Sequence, residues 1–135
     1  MKELRIKASL DNLDDVLAFV DQELEGADCP MKAMMQIDLA VEEIFVNIAS
    51  YAYAPGTGEA LIRIDIAGEP RYAEICFRDS GVPYDPLAKD DPDLTLSADQ
   101  RDIGGLGIFM AKKSVDDIRY DYLDGHNILT IRKYI

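Results

Sequence analysis

The sequence has few of the residues that build metal sites, disulfide frameworks or nucleic-acid surfaces. Its 135 residues include one histidine, His126, and two cysteines, Cys29 and Cys76, without a C-x-x-C pair. We therefore expect neither a structural zinc site nor a disulfide scaffold, and both thiols should be free. Lysine and arginine number 14 against 26 aspartates and glutamates, so the formal net charge is −12. This acidity argues against DNA or RNA as a direct partner.

Long apolar runs are absent too. No segment has the roughly 20 consecutive apolar residues that a transmembrane helix needs, so no membrane association is expected. The first residues, MKELRIKASL, alternate charged and apolar side chains as a strand does, and they lack the apolar block of a signal peptide. A cytoplasmic location is the resulting expectation. Because 48% of the residues are hydrophobic, the chain should form a packed core.

Hydrophobic periodicity predicts the order β-α-α-β-β-loop-α-β-β. The predicted strands are 2–9, 59–68, 71–79, 117–122 and 127–134, and the predicted helices are 11–25, 30–53 and 105–115. Adjacent strands joined by short turns favour a mostly antiparallel sheet with helices on one face, an α/β two-layer sandwich. The whole chain, 1–135, is predicted to be one domain. Gly26 should close the first helix, and Cys76 should lie in the core.

Two polar side chains share a face of the second predicted helix. Glu43 and Asn47 are one turn apart, between apolar neighbours, and a cleft is one place where such a pair can point. A partly exposed polar stripe explains the same spacing, because E-x-x-x-N is short and common.

A turn sequence follows the third predicted strand. Asp79 there can accept a hydrogen bond from the exocyclic amine of adenine, and Gly81 lets the backbone approach a flat ring. An ordinary Asx turn explains these residues equally well.

Glycines cluster where the third helix is predicted to begin. Gly104, Gly105 and Gly107 free backbone N–H groups for an anion, which the helix dipole also favours. The motif is not a Walker loop, since no Gly-Lys-Ser/Thr follows. A flexible loop end is the alternative, but three glycines carry a helix-propensity cost that favours a function.

The order of these features resembles a known family. E-x-x-x-N on a helix, then Asp79-x-Gly81-x-Pro83-Tyr-Asp-Pro, a long loop and Gly105-Leu-Gly-Ile are similar to the motifs of the GHKL, or Bergerat-fold, ATPases. The D-x-G-x-P-aromatic-D-P form and the small size resemble the single-domain anti-sigma-factor serine/threonine kinases of bacterial partner-switching systems. The resemblance covers essentially the whole chain.

This resemblance implies roles for individual residues. Asn47 would coordinate Mg²⁺ on the ATP phosphates, and Asp79 would bind the adenine amine beside Gly81 and Pro83. Glu43 would be the general base, and residues 84–103 would form the ATP lid. The phosphates would be held by the segment Gly104, Gly105, Leu106, Gly107 and Ile108.

The resemblance also implies partners and an activity. The chain would transfer the γ-phosphate of ATP to a serine or threonine of an antagonist protein, bind a sigma factor and form a homodimer. The alternative is a non-catalytic ATP-binding module that sequesters a regulatory partner. A histidine kinase fragment is less consistent, because His126 lies in a turn sequence. One departure stands out: the family's Gly-Thr near the last strand is replaced by His126-Asn127, with Thr130 as another candidate for that contact.

Overall fold

A computed structural model describes residues 1–88 and 105–135, and at 105 and 106 it describes the backbone alone. Most of the predicted lid, from residue 89 onward, lies outside the described residues, as does Gly104. No helix within the described ranges combines the length and the apolarity that crossing a bilayer requires.

Within these ranges the elements follow the predicted order. The strands are β1 (Lys2–Lys7), β2 (Glu59–Ala67), β3 (Tyr72–Asp79), β4 (Asp117–Leu123) and β5 (His126–Tyr134); the helices are α1 (Leu13–Gly26), α2 (Met31–Asn47) and α3 (Gly105–Ser114). A short 3-10 turn at Leu10–Asn12 precedes α1, and a π-helical turn at Ile48–Ala52 extends α2.

The strands form one antiparallel sheet in the order β1-β2-β3-β5-β4. One face of the sheet packs on the helices, which confirms the predicted two-layer architecture. The core consists of fully buried side chains from both layers: Val16, Val20, Leu24, Ile37, Val41, Ile44, Phe45, Ile62, Ile64, Ile75, Phe77 and Ile131. Burial of such aliphatic and aromatic side chains is the main stabilising term of a domain of this size.

One local prediction was confirmed and one was wrong. Helix α1 ends at Gly26, as predicted, and the residue that turns the chain after it is Asp28, with a left-handed φ of 56°. Aspartate tolerates that conformation better than most residues do. Cys76 is half-buried, because strand alternation places Ile75 and Phe77 in the core and Cys76 on the opposite face. Both cysteines are free, as predicted.

Two carboxyl groups meet between α1 and α2. The Oδ1 atoms of Asp21 and Asp38 are buried, and neither has a hydrogen-bond partner within the described residues. Burial and the close approach of the Asp21 carboxyl group raise the pKa of Asp38 to about 8. The pair therefore holds one proton at neutral pH, which removes the repulsion between two carboxylates.

This pair makes stability depend on pH. The unfolded pKa of aspartate is about 4, so between pH ~4 and ~8 the folded state keeps a proton that the unfolded state releases. The stability contributed by the pair is complete below pH ~4 and falls as pH rises to about 8. Asp38→Asn should flatten this slope and raise the melting temperature at pH 9, measured by calorimetry at pH 5, 7 and 9. Asp121→Asn, at an exposed site on β4, is the control; equal slopes in the two variants would contradict the assignment.

Candidate functional site

A cavity of about 360 Å³ lies between the end of α2 and the sheet. Inward-facing residues of β3 and β5 pair as Ile75 with Ile131, Phe77 with Leu129, and Asp79 with Asn127. The Ile75–Ile131 pair belongs to the apolar core, and the other two pairs line the cavity. The remaining lining comes from the end of α2, the segment after β3 and one residue of β4: Ile44, Asn47, Ile48, Tyr51, Ala52, Val82, Pro83, Tyr84, Pro86 and Tyr120.

Asp79 is a buried carboxylate in the wall of this cavity, with 6% of its surface exposed. Its Oδ1 accepts hydrogen bonds from the N–H of Gly81 at 2.9 Å and from Nδ2 of Asn127 at 3.0 Å. Among the described residues no donor reaches Oδ2. A carboxylate oxygen is an acceptor, so the site is suited to a ligand that carries an N–H donor.

The side-chain amides of Asn127 and Asn47 both line the cavity, but they differ in their hydrogen bonding. Asn127 donates to Asp79 and to the carbonyl of Val82, and its Oδ1 accepts from the N–H of Tyr84. By contrast, no hydrogen bond of the Asn47 side chain is found within residues 1–88 and 105–135. Asn47 therefore offers an open amide to a ligand, whereas Asn127 belongs to the wall.

The segment after Asp79 is fixed to the end of α2. The hydroxyl of Tyr53 donates to the carbonyl of Glu59 at 2.6 Å and accepts from the N–H of Ser80 at 2.8 Å. The N–H of Val82 donates to the carbonyl of Ala52 at 2.9 Å. These bonds hold the segment after β3 against the end of α2, and both of these segments line the cavity.

A glycine is required at position 81 because the segment after β3 passes close to the backbone of Ala52. A Cβ at Gly81 would overlap the carbonyl oxygen of Ala52, and Gly81 is not one of the residues that line the cavity. Packing thus explains Gly81, which its sequence context did not reveal. Its role in shaping the part of the cavity that would contact adenine stays a prediction. Pro83, predicted for the same wall, does line the cavity.

Glu43 lies next to the beginning of α3. Its Oε2 occupies the space that a Cβ of Gly107 would need, so the missing side chain allows the contact. Burial and the charge of Glu42 raise the pKa of Glu43. A carboxylate with a raised pKa is a better proton acceptor near neutral pH. Glu43 itself is half-buried and is not part of the cavity lining.

The fold brings together most of the residues predicted from the sequence. Asn47, Asp79 and Pro83 line the cavity, Glu43 contacts Gly107, and Ile108 is buried at 6% exposure. Gly105 and Leu106 begin α3, whereas Gly104 lies outside the described residues.

Sequence reasoning missed Tyr53 and Tyr120 and left the role of Asn127 open. One available signal was strand alternation: a polar residue at 127 interrupts the inward series of Leu129 and Ile131. The sequence does not show that β5 pairs with β3, so this signal could not be connected to Asp79.

The cavity contains a side-chain oxygen suited to a magnesium ion that phosphates also bind. Within the described ranges, no group of three or more histidine, cysteine, aspartate or glutamate side chains can hold a metal by itself. Mg²⁺ keeps several waters and needs few protein ligands when phosphates bind it. The open amide oxygen of Asn47 matches this requirement.

The contact at Gly81 gives a stability prediction. Gly81→Ala should lower the free energy of unfolding by about 1–3 kcal/mol, because the obstructing atoms belong to the backbone and cannot rotate away. Gly26→Ala is the matched control, since a Cβ there has no atom within 4 Å and should be neutral or stabilising. Urea titration of both variants measures the difference. Similar stability in the two would show that the turn moves freely.

Comparison with known proteins identifies the family. Residues 6–133 match the family described as the histidine kinase-like ATPase domain. The serine/threonine-protein kinase BtrW of Bordetella bronchiseptica is 30% identical over 98 residues, which are 73% of this chain and 68% of that protein.

Two solved structures share the fold. The RsbU and RsbW domains of Rv1364c from Mycobacterium tuberculosis give a TM-score of 0.67 at 17% identity, over 98% of this chain and 32% of that chain. The histidine kinase domain of the Erythrobacter litoralis EL346 blue-light activated histidine kinase gives 0.50 at 14% identity, over 78% and 46%. This chain thus spans about a third and about a half of those two chains. Because the family match includes every residue that lines the cavity, the chain belongs to the histidine kinase-like ATPase domain family, the GHKL ATPases that its motifs resemble.

Proposed function

We propose that the chain is an ATP-dependent serine/threonine protein kinase and anti-sigma regulatory factor, which phosphorylates a serine or threonine of an antagonist protein. The observation that carries this proposal is the buried Asp79, with one oxygen unengaged by the described residues, in the wall of a cavity bounded by α2. The 30% sequence identity to the serine/threonine-protein kinase BtrW and the similarity in fold to a structure that contains an RsbW domain support it.

The cavity is suited to the adenine end of ATP. Its walls are largely apolar, with Ile44, Phe77 and Leu129 among them, and such walls favour a flat aromatic ring. In this proposal Oδ2 of Asp79 accepts a hydrogen bond from the adenine amine. Guanine has a carbonyl at the corresponding position and would place an acceptor against an acceptor.

The phosphate end lies toward α3. The backbone N–H groups at Gly105, Leu106 and Gly107 are in the first turn of this helix, where they and the helix dipole favour an anion. Asn47 would hold the magnesium ion, which would supply positive charge to neutralise the phosphates. Bound ATP supplies the phosphoryl group that is transferred.

Glu43 is the proposed general base. It lies one turn from Asn47 on α2 and contacts Gly107, so it is next to both groups that would hold the phosphates. It would take the proton of the acceptor hydroxyl as the new oxygen–phosphorus bond forms and ADP leaves. Its raised pKa helps it to keep that proton near neutral pH.

A second function fits one observation. Because Glu43 is outside the cavity lining, the chain would also suit a non-catalytic ATP-binding module that sequesters a regulatory partner. On the family resemblance, the first function includes a sigma factor as partner and a homodimer, whereas the second leaves the regulatory partner open. The property that separates them in an experiment is phosphotransfer.

Binding of ATP tests what the two functions share. Isothermal titration should show magnesium-dependent ATP binding by the wild-type protein. Asn47→Ala should weaken it by about 10–100-fold, the cost of a lost contact to a charged group. Asn12→Ala, whose amide bonds to the carbonyl of Lys7 away from the cavity, should leave it unchanged. Absence of wild-type binding at millimolar ATP, or unchanged affinity in Asn47→Ala, would contradict these assignments.

Phosphotransfer separates the two functions. Glu43→Gln should preserve ATP binding and slow transfer of labelled γ-phosphate to a candidate antagonist protein by about 10²–10⁴-fold. Glu25→Gln, at an exposed position of α1, is the control, because the charge of Glu42 influences the pKa of Glu43. Wild-type transfer should rise with pH through the raised pKa of Glu43, since the base acts deprotonated. Full activity in Glu43→Gln would exclude it as base, and ATP binding without wild-type transfer would favour the interaction module.

A further inference from the structure

We infer that Asn127 is a positioning residue that makes the site selective for adenine, by fixing Asp79 and the adjacent wall, and that it makes no nucleotide contact itself. This inference rests on the proposed function, because it assumes that ATP binds in the cavity. It gives a role to Asn127, which the sequence analysis left open.

The side chain of Asn127 is saturated by protein groups. Its Nδ2 donates to Oδ1 of Asp79 and to the carbonyl of Val82, both at 3.0 Å. Its Oδ1 accepts from the N–H of Tyr84 at 3.1 Å and from the hydroxyl of Tyr120. A primary amide has two donor hydrogens and two acceptor lone pairs, and all four are used. Only 7% of Asn127 is exposed, which limits competition from water for these bonds.

The partners also fix which way the amide points. Val82 presents a carbonyl, which can only accept, and Tyr84 presents a backbone N–H, which can only donate. A flipped amide would place acceptor against acceptor and donor against donor at these two positions. Nδ2 is therefore the group directed at Asp79.

Selectivity follows from this orientation. With Oδ1 of Asp79 engaged by Gly81 and Asn127, Oδ2 is the oxygen that remains for the base. The same amide ties down the two residues that flank Pro83, a wall of the cavity. Adenine places a donor, and guanine an acceptor, at the exocyclic position that distinguishes them. An aspartate held in this way as an acceptor accepts the first and rejects the second.

Asn127→Asp is the informative substitution. It places a second carboxylate at hydrogen-bond distance from Asp79, and two carboxylates this close hold a shared proton. A protonated pair can donate as well as accept, so discrimination against guanine should fall and nucleotide affinity should vary with pH. If the side chain at 127 did not face Asp79, the new carboxylate would change neither property.

The experiment is titration of the full chain with ATP and with GTP at pH 6 and pH 8.5, with melting temperatures measured in parallel. We expect the wild type to prefer ATP at both pH values. In Asn127→Asp the ATP-over-GTP ratio should fall by about tenfold or more and should differ between the two pH values. Asn12→Asp loses a comparable amide bond, 2.9 Å long, and should keep the wild-type ratio. Asp79→Asn should lose selectivity without the pH dependence.

The outcomes separate the inference from the proposed function. A wild type that binds neither nucleotide overturns both. A selective wild type whose Asn127→Asp variant keeps the same ratio at both pH values overturns the inference alone. Should Asn127→Asp fail to fold, Tyr120→Phe removes only the hydroxyl donor to Oδ1 of Asn127. A several-fold lower ratio in Tyr120→Phe would then support the inference, and an unchanged ratio would overturn it.

Discussion

The hydrogen bond between Asp79 and Asn127 is the interaction on which the cavity depends. A buried carboxylate is tolerated only where donors reach it, and here the donors come from the following turn and from the paired strand. The antiparallel register of β3 and β5 places the two residues opposite each other at the end of an apolar row. The same strand pair thus supplies the core at one end and a polar site at the other.

The end of α2 completes the site because the segment after β3 is attached to it. Backbone and side-chain bonds join Ala52 to Val82 and Tyr53 to Ser80, and Gly81 allows the close approach. At the other end of the site, Gly107 allows α3 to approach Glu43. Both glycines are therefore explained by contacts with the helix that carries Glu43 and Asn47.

Asp79 and Asp38 each have a carboxyl oxygen removed from solvent, but in different surroundings. Two N–H donors bond Oδ1 of Asp79, which leaves Oδ2 to accept a ligand's hydrogen bond. Asp38 faces another carboxyl group, and its pKa rises to about 8. The first arrangement is suited to recognition, whereas the second links the stability of the α1–α2 packing to pH.

The sequence alone determined the fold class, because the apolar periods of Leu13–Gly26, Met31–Asn47 and the strands are local properties of the chain. It also singled out Asn47, Asp79 and Pro83 as candidate site residues, since their spacing resembles a family pattern, and in the structure all three line one cavity. Tertiary structure alone decided the rest. The partner of Asn127 depends on which strands pair, and the reason for Gly81 depends on which helix end packs there. Such contacts join residues far apart in the chain, so no local pattern encodes them.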